Sequence, residues 1–121
     1  MSGRKTVLVL EDDPFVSMDL EMIVADVLSA DVRVTASVAA AREALRSGVD
    51  LALLDVDVED GKSYPIAEAL MSRDTPFIFV SGSEALHLPP PLRSVPFVAK
   101  PYAPQAMEAA IRSSLLAGDG S

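Results

Sequence analysis

Two acids follow a short apolar run in the middle of this chain. The stretch LALLDVDVEDG runs from Leu51 to Gly61, and its four leading apolar residues stop at Asp55, with Asp57 two positions later. A carboxylate at the end of a buried segment is costly unless a partner charge or a metal ion compensates for it. The pattern therefore indicates that Asp55, alone or together with Asp57, takes part in binding or catalysis.

Further polar side chains stand directly after other apolar runs. Glu11, Asp12 and Asp13 follow TVLVL, Ser81 ends PFIFVS, and Lys100 follows PFVA. Close carboxylates stay ionised together when a cation lies between them, and hard oxygen ligands without cysteine point to Mg²⁺. A carboxylate beside Mg²⁺ can attack phosphorus, and phosphoryl transfer otherwise needs positioning and charge neutralisation. The lysine ammonium and the serine hydroxyl would then each bind one phosphoryl oxygen.

Five apolar segments that alternate with helical patterns would position these groups. The predicted strands are Thr6–Leu10, Arg33–Ala36, Leu51–Leu54, Pro76–Ser81 and Pro96–Ala99. The predicted helices run from Pro14 to about Ala30 and over Val38–Arg46, Tyr64–Met71 and Pro104–Ala117. Asp13 and Ser37 are the expected caps of the first two helices. This alternation predicts an α/β domain with a central parallel sheet and helices on both faces. Because ligands bind such sheets at the carboxyl ends of the strands, we expect the polar groups to meet at one edge.

Composition limits the classes of protein to which the chain can belong. Its 121 residues suffice for one domain, so we expect a single domain over residues 1–121 with frayed ends at 1–5 and 118–121. Cysteine is absent and His87 is the one histidine, which excludes disulfides, zinc–thiolate sites and sites that need two histidines. A net charge of −8 argues against nucleic acid as a partner. The apolar runs are too short to span a membrane and no signal-peptide pattern is present, so we expect a cytoplasmic protein.

Four segments of the chain resemble motifs of response regulator receiver domains. VLVLEDDP resembles their first strand with its acidic pair, and LALLDVDV resembles the strand that carries the phosphoacceptor. FIFVSG is similar to the switch strand, and PFVAKPY to the fifth strand with its Lys-Pro. The resemblance covers essentially the whole chain in the correct order. It implies a flavodoxin-like (βα)5 fold, a doubly wound parallel sheet with strand order 2-1-3-4-5.

The resemblance also implies a role for each acid at the strand ends. Asp55 would be the phosphoacceptor and would contact the metal ion. Asp12 would bind Mg²⁺ directly and Glu11 through water, while Asp13 would mainly cap the helix. The third protein ligand would be the backbone carbonyl of Asp57.

On the phosphate side, three more residues match the family's pattern. Ser81 matches the switch hydroxyl, Lys100 the lysine that binds the phosphoryl group, and Phe97 the switch aromatic. For Phe97, an ordinary buried strand residue is the alternative interpretation. These roles imply a stand-alone receiver in a two-component phosphorelay, which takes its phosphoryl group from a sensor histidine kinase or a histidine phosphotransfer protein. It would catalyse its own dephosphorylation rather than act as a conventional enzyme, and would signal to a downstream protein that the sequence does not identify.

The chain departs from the usual receiver pattern at two loops. The segment after Asp55 reaches Gly61 early, so its loop is shortened. Three prolines, Pro89 to Pro91, cannot continue a helix, which predicts a turn near Glu84–Leu88 or an irregular segment in place of the usual fourth helix. PFIFVSG also resembles the P-F-x-F-A-T-G stretch of an atypical receiver subgroup.

Three other functions compete with a receiver. The sequence from Asp55 to Val58 fits the Asp-x-Asp-x-Thr/Val motif of haloacid-dehalogenase phosphatases, with Asp57 as general acid. That motif ordinarily follows the first strand, and those enzymes need a longer chain. A receiver-like scaffold that is never phosphorylated would typically lack an acid or the lysine. A flavodoxin-type flavin-binding module would need a Ser/Thr/Gly-rich loop where EDDP stands.

Overall fold

The computed structural model describes residues 4–82 and 87–119 as an α/β domain. The seven strands of the described chain are β1 (Lys5–Leu10), β2 (Ala30–Thr35), β3 (Leu51–Leu54), β4 (Asp57–Val58), β5 (Gly61–Lys62), β6 (Phe77–Ser81) and β7 (Phe97–Ala99). The four α-helices are α1 (Pro14–Val27), α2 (Val38–Leu45), α3 (Tyr64–Ser72) and α4 (Pro104–Asp119).

The main sheet contains five parallel strands in the order β2-β1-β3-β6-β7. When the two short strands of the β4–β5 hairpin are left out of the count, this order is the expected 2-1-3-4-5. The flavodoxin-like fold is therefore confirmed. The order of the strands reverses between β1 and β3, which lie side by side. In α/β folds of this kind, ligands bind at the point of reversal.

The core consists of two apolar clusters, one on each face of the sheet. Alternate side chains of β3 point to opposite faces, so that Ala52 and Leu54 belong to one cluster and Leu51 and Leu53 to the other. The first cluster, which we call the α2/α3 core, includes buried residues of α2 and α3; the second, the α1/α4 core, includes those of α1 and α4. All four of these β3 residues are 0% exposed, which explains their continuous apolar sequence.

The boundary between α1 and β2 differs from the predicted one. We expected α1 to reach about Ala30, but it ends at Val27, and Leu28 already has extended backbone with φ −154° and ψ 160°. Ala30 instead pairs with Lys5 in the parallel ladder between β1 and β2. Sheet pairing therefore overrides the helical pattern in this segment.

A β-hairpin replaces the shortened loop that we expected after Asp55. Asp57 pairs with Lys62 and Val58 with Gly61 in antiparallel register. Gly61 has φ +133°, a backbone conformation that favours glycine. Val58 is buried in the α2/α3 core, so the hairpin is packed against the domain.

Between β6 and β7, the described residues 87–95 contain no α-helix. Pro90–Leu92 forms one turn of 3₁₀ helix, and the expected turn near Glu84–Leu88 lies largely outside the described residues. Leu88 and Leu92 are buried in the α2/α3 core, so this segment packs against the domain without an α-helix.

None of the helices within residues 4–82 and 87–119 is both long enough and apolar enough to cross a membrane.

Candidate functional site

Backbone hydrogen bonds fix the residues that follow three strands of the sheet. The Asp55 N–H donates to Leu10 O at 2.9 Å, and the Lys100 N–H donates to Ser81 O at 3.0 Å. The Glu11 N–H continues the ladder to the neighbouring strand by donating to Thr35 O at 2.9 Å. Because these bonds extend the parallel ladders by one residue, Glu11, Asp55 and Lys100 are held on rigid backbone at one edge of the sheet.

Three carboxylates meet at this edge. Glu11, Asp12 and Asp55 each contribute one oxygen to a group in which all oxygens lie within 4.8 Å of one another. Glu11 is 3% exposed and Asp55 is 8% exposed, whereas Asp12 is exposed. We call these three residues the acidic cluster. The sequence predicted this convergence, and the structure brings the three side chains together.

The Lys100 ammonium bridges two members of the acidic cluster. Its Nζ atom lies 2.6 Å from Glu11 Oε1 and 3.0 Å from Asp55 Oδ2. Burial lowers the pKa of Lys100, but its hydrogen bonds to Glu11 and Asp55 outweigh burial and raise that pKa above its ordinary value. Lys100 is therefore a firmly protonated counter-charge inside the cluster.

The surroundings of the Glu11 carboxyl disfavour its ionised form. Burial raises the pKa of its carboxyl above the ordinary value, and the hydrogen bonds from Lys100 and from the Asp13 N–H counteract this only in part. The Asp13 N–H donates to Glu11 Oε2 at 2.9 Å, and Asp13 Oδ1 accepts from the Phe15 N–H at 2.9 Å. Asp13 thus caps α1, as predicted, and also helps to hold Glu11.

The donor chemistry of the acidic cluster fits Mg²⁺. All three side chains offer hard carboxylate oxygens, the ligands that this cation prefers. When the three acids are ionised, one lysine leaves two negative charges without compensation, which is the charge that a divalent cation neutralises. Glu11, Asp12 and Asp55 could therefore hold Mg²⁺.

Three other predicted site residues belong to β4, β6 and β7. Ser81 is the last residue of β6 and is 2% exposed. Phe97 is half-buried, pairs with Phe79 across β6 and β7, and its ring centroid lies 6.5 Å from that of Phe79. The carboxylate of Asp57 forms a salt bridge with Lys62 across the hairpin. The ligand that the resemblance assigns to Asp57 is its backbone carbonyl rather than this carboxylate.

An open groove that the sequence did not predict adjoins the cluster. It has a volume of about 620 Å³ and is lined by Phe15, Val16, Asp19, Lys100, Pro101 and Tyr102. The Tyr102 hydroxyl donates to Asp19 Oδ2 at 2.7 Å, linking α1 to the segment after β7. Burial and this hydrogen bond raise the pKa of Tyr102 well above its usual range. The hydroxyl therefore stays protonated and acts as a hydrogen-bond donor.

The groove continues into an apolar stripe on α1. Phe15, Met18 and Met22 are 83%, 60% and 67% exposed, and their spacing of three and four residues puts them on one side of the helix. We call these three residues the α1 stripe. Helical periodicity could have identified it, because it lies opposite the buried Leu20 and Ile23.

Solved structures of similar proteins share this fold. The chain is 34% identical to SdrG from Sphingomonas melonis Fr1, with a TM-score of 0.80 over 96% of this chain and 99% of that one. It is 28% identical to the REC domain of the response regulator PhyR from Erythrobacter litoralis, with a TM-score of 0.82 over 94% and 92% of the two chains. A response regulator receiver protein from Sinorhizobium medicae WSM419 has a TM-score of 0.82 at 22% identity over 96% and 98%, a likeness of fold. No protein-family model matches the chain, and no curated protein matches it.

Proposed function

Since this chain belongs to the response regulator receiver domains, we propose that it is a cytoplasmic, Mg²⁺-dependent phosphoacceptor and that Asp55 is the residue phosphorylated. The observation that supports this most strongly is the contact of Asp55 with Lys100 beside Glu11 and Asp12. A nucleophilic carboxylate, a group of cation ligands and a fixed ammonium are the components that phosphoryl transfer to a carboxylate needs.

Each residue of the site has one task in this proposal. Glu11, Asp12, the Asp55 carboxylate and the Asp57 carbonyl would hold Mg²⁺, which when bound neutralises charge on the phosphoryl oxygens. Lys100, already within 3.0 Å of Asp55 Oδ2, would donate a hydrogen bond to a phosphoryl oxygen.

Ser81 and Phe97 complete the proposal as the groups that respond to phosphorylation. The Ser81 hydroxyl would donate to another phosphoryl oxygen, and Phe97 would turn inward as that hydroxyl moves. Ser81 ends β6 at the edge that carries Lys100, and Phe97 begins the neighbouring strand β7, where it pairs with Phe79.

The reaction itself is a displacement at phosphorus. A carboxylate oxygen of Asp55 attacks the phosphorus of a phosphohistidine, and a P–O bond forms as the P–N bond breaks. The imidazole leaves with the electron pair of the broken bond and takes a proton from solvent. Hydrolysis of the resulting acyl phosphate by water would return Asp55 to its carboxylate and release inorganic phosphate.

The proposed phosphodonor is a sensor histidine kinase or a histidine phosphotransfer protein. The α1 stripe supports a docking role for α1, because exposed apolar patches mark sites of protein contact. The stripe begins at Phe15, which also lines the groove beside Lys100. A donor that packs on α1 would therefore bring its phosphohistidine near Asp55. The downstream partner and membership of the P-F-x-F-A-T-G subgroup stay predictions.

The haloacid-dehalogenase alternative needs the Asp57 carboxylate beside Asp55 as a general acid. In the structure that carboxylate pairs with Lys62 in the hairpin, and Asp55 follows β3, the third strand in the chain. Both features favour a receiver. A receiver-like scaffold that is never phosphorylated would differ from the proposal in one measurable property, phosphorylation itself.

Intact-mass spectrometry after incubation with acetyl phosphate and Mg²⁺ tests the proposal. We expect one phosphoryl adduct on the wild type and on Asp57→Asn, and none on Asp55→Asn. An adduct that accumulates in Asp57→Asn far beyond the wild type would favour the phosphatase. The absence of an adduct with acetyl phosphate and with a phosphorylated histidine donor would favour the scaffold.

A further inference from the structure

Asp60 links the hairpin after the phosphoacceptor to the helix α2. Its Oδ1 atom accepts from the Val38 N–H at 2.7 Å, and its Oδ2 atom accepts from the Ala39 N–H at 3.2 Å. Asp60 lies in the turn between β4 and β5, whereas Val38 and Ala39 are the first two residues of α2. These two hydrogen bonds therefore join two segments that are distant in sequence.

Asp60 and Ser37 together cap the start of α2. An α-helix leaves its first N–H groups without intrahelical partners. Asp60 accepts two of them, the Ala40 N–H donates to Ser37 Oγ at 3.1 Å, and the Ala41 N–H makes the first bond of the helix by donating to Ser37 O at 3.0 Å. A carboxylate at a helix N-terminus also interacts favourably with the helix dipole. The hydrogen bond from the Val38 N–H accordingly lowers the pKa of Asp60.

The hairpin that Asp60 holds carries the backbone of Asp57. Asp57 pairs with Lys62 in the two-residue ladder of the hairpin, and the Ser63 N–H closes its base by donating to Val56 O at 2.9 Å. With so few bonds of its own, such a short hairpin depends on outside contacts for a fixed position. Among the described residues, the burial of Val58 and the two hydrogen bonds that Asp60 accepts from α2 are contacts of this kind.

We infer that Asp60 is a positioning residue for the cation: by holding the hairpin on the N-terminus of α2, it keeps the Asp57 carbonyl in place for Mg²⁺. The inference rests on the proposed function, because it concerns the metal site proposed there. Groups that orient metal ligands commonly change metal affinity by one or two orders of magnitude. By linkage, Mg²⁺ in turn stabilises the contact between Asp60 and α2.

A titration of the unphosphorylated protein with Mg²⁺ alone, followed by amide chemical shifts, tests this inference. We expect Asp60→Ala to weaken Mg²⁺ binding about tenfold. Asp60→Asn, whose amide oxygen can still accept one N–H, should lose less affinity. In the wild type, Mg²⁺ should also slow the hydrogen exchange of the Val38 and Ala39 amides, and in Asp60→Ala it should not.

Two matched variants separate positioning from other effects. Glu59→Ala removes the same charge from the same exposed turn, and Ser37→Ala removes the other side-chain cap of α2. Each should change Mg²⁺ affinity by no more than about twofold, because a solvent-exposed charge is screened and the hairpin contact is intact. If Asp60→Ala does not fold, the comparison of Asp60→Asn with Glu59→Gln gives the same test.

The results that would overturn the inference are specific. If Asp60→Ala and Glu59→Ala had equal Mg²⁺ affinities, loss of negative charge alone would explain the change in affinity. If Asp60→Ala and Ser37→Ala lost equal Mg²⁺ affinity, the lower stability of α2 would explain the change. In both cases the proposed function survives if Asp12→Asn abolishes Mg²⁺ binding in the same titration. Absence of Mg²⁺ binding to the wild type would overturn the inference and the proposed metal site together.

Discussion

Lys100 lies between two buried carboxylates of the acidic cluster. Its ammonium contacts Glu11 at 2.6 Å and Asp55 at 3.0 Å, so without a metal ion it supplies the positive charge that these buried carboxylates need. Removing one partner of a buried ion pair strongly destabilises the folded protein, because the other charge remains buried without compensation. Lys100 should therefore contribute to stability as well as to phosphoryl transfer.

The first prediction concerns Lys100→Ala. The Lys100 side chain is 22% exposed, so we expect a cost somewhat below that of a fully buried pair, about 2 kcal/mol of unfolding free energy without Mg²⁺. Saturating Mg²⁺ should recover more stability in this variant than in the wild type, because Mg²⁺ then meets uncompensated carboxylates. Urea unfolding in EDTA and in Mg²⁺ measures both effects.

The same variant should keep Mg²⁺ binding and lose the conformational response to phosphorylation. A wild-type response would remove Lys100 from the mechanism.

The second prediction concerns the pH dependence that Glu11 causes. Because burial raises the pKa of Glu11 in the folded protein, the folded state binds a proton more tightly than the unfolded state does. The unfolding free energy of the wild type should therefore fall, relative to that of Glu11→Gln, as pH rises from the ordinary carboxyl range through the raised pKa.

Urea unfolding in EDTA from about pH 5 to about pH 8 measures this difference. EDTA keeps metal ions from masking the charge of Glu11. A difference between the two proteins that stays constant, or that grows in favour of the wild type with rising pH, would contradict the direction of the pKa shift.

Sequence reasoning predicted which side chains meet at the site but not all of their contacts. Strand ends place Glu11, Asp12, Asp55 and Lys100 together because parallel strands share one carboxyl edge. The salt bridge of Asp57 depends on a hairpin register that a period of two residues does not specify in so short a segment. Similarly, the hydrogen bond between Tyr102 and Asp19 depends on how the segment after β7 packs against α1.

At the scale of elements, most predicted strands and helices agree with the structure within one or two residues. The first and third strands follow from continuous apolar runs, and Leu51–Leu54 has the predicted bounds. The edge strand β2 begins at Ala30 rather than at the predicted Arg33, because the helical pattern of α1 extends to Ala30 and the exposed Asp31 interrupts the apolar run. An edge strand is recognised by its pairing, and pairing is not visible in its own sequence.

The β4–β5 hairpin was missed although the sequence contains a signal for it. Asp60-Gly61 follows a segment of alternating apolar residues, Val56 and Val58, and Asp-Gly is a common turn sequence in hairpins. The resemblance to receivers predicts a shortened loop here, whereas the Asp-Gly pair and the alternating valines by themselves favour a hairpin.

The third prediction concerns the α1 stripe. Met18→Asp places a charge in the middle of the proposed docking face, so it should slow phosphorylation by the phosphohistidine donor at least tenfold, as for loss of a central contact in an interface. Phosphorylation by acetyl phosphate should be unchanged, because a small donor needs no docking face. Phosphoryl transfer from each donor to each variant gives the comparison.

Leu116→Asp is the matched control for Met18→Asp. Leu116 is 73% exposed on α4, so the substitution makes a similar change on another helix. Equal effects of the two substitutions on transfer from the phosphohistidine donor would argue against docking on α1. Slower reaction of Met18→Asp with acetyl phosphate would instead indicate damage to the site itself.

At the scale of the whole molecule, the sheet divides the core into two separate parts. Ile66 of α3 lies in the α2/α3 core and is 1% exposed, whereas Ile111 of α4 lies in the α1/α4 core and is 0% exposed. The two side chains are on opposite faces of the sheet and share no cluster. Changes at distant sites without shared partners usually have additive effects on stability.

The fourth prediction follows from this division. Ile66→Val and Ile111→Val should each lower the unfolding free energy by about 1 kcal/mol, and the double variant by the sum. Urea unfolding of the three variants measures the coupling. A double variant that differs clearly from the sum would show that strain passes through the sheet from one face to the other.

The position of β3 at the centre of the sheet also determines when a growing chain can fold. β3 ends at Leu54, but β6, which covers its second edge, begins only at Phe77. During synthesis, a chain that ends between these residues presents an unpaired apolar edge, which other chains can join. The pairings of β3 with strands distant in sequence also require loop closure before any stabilisation is gained. The nascent protein is therefore prone to aggregation until β6 emerges from the ribosome and pairs with β3.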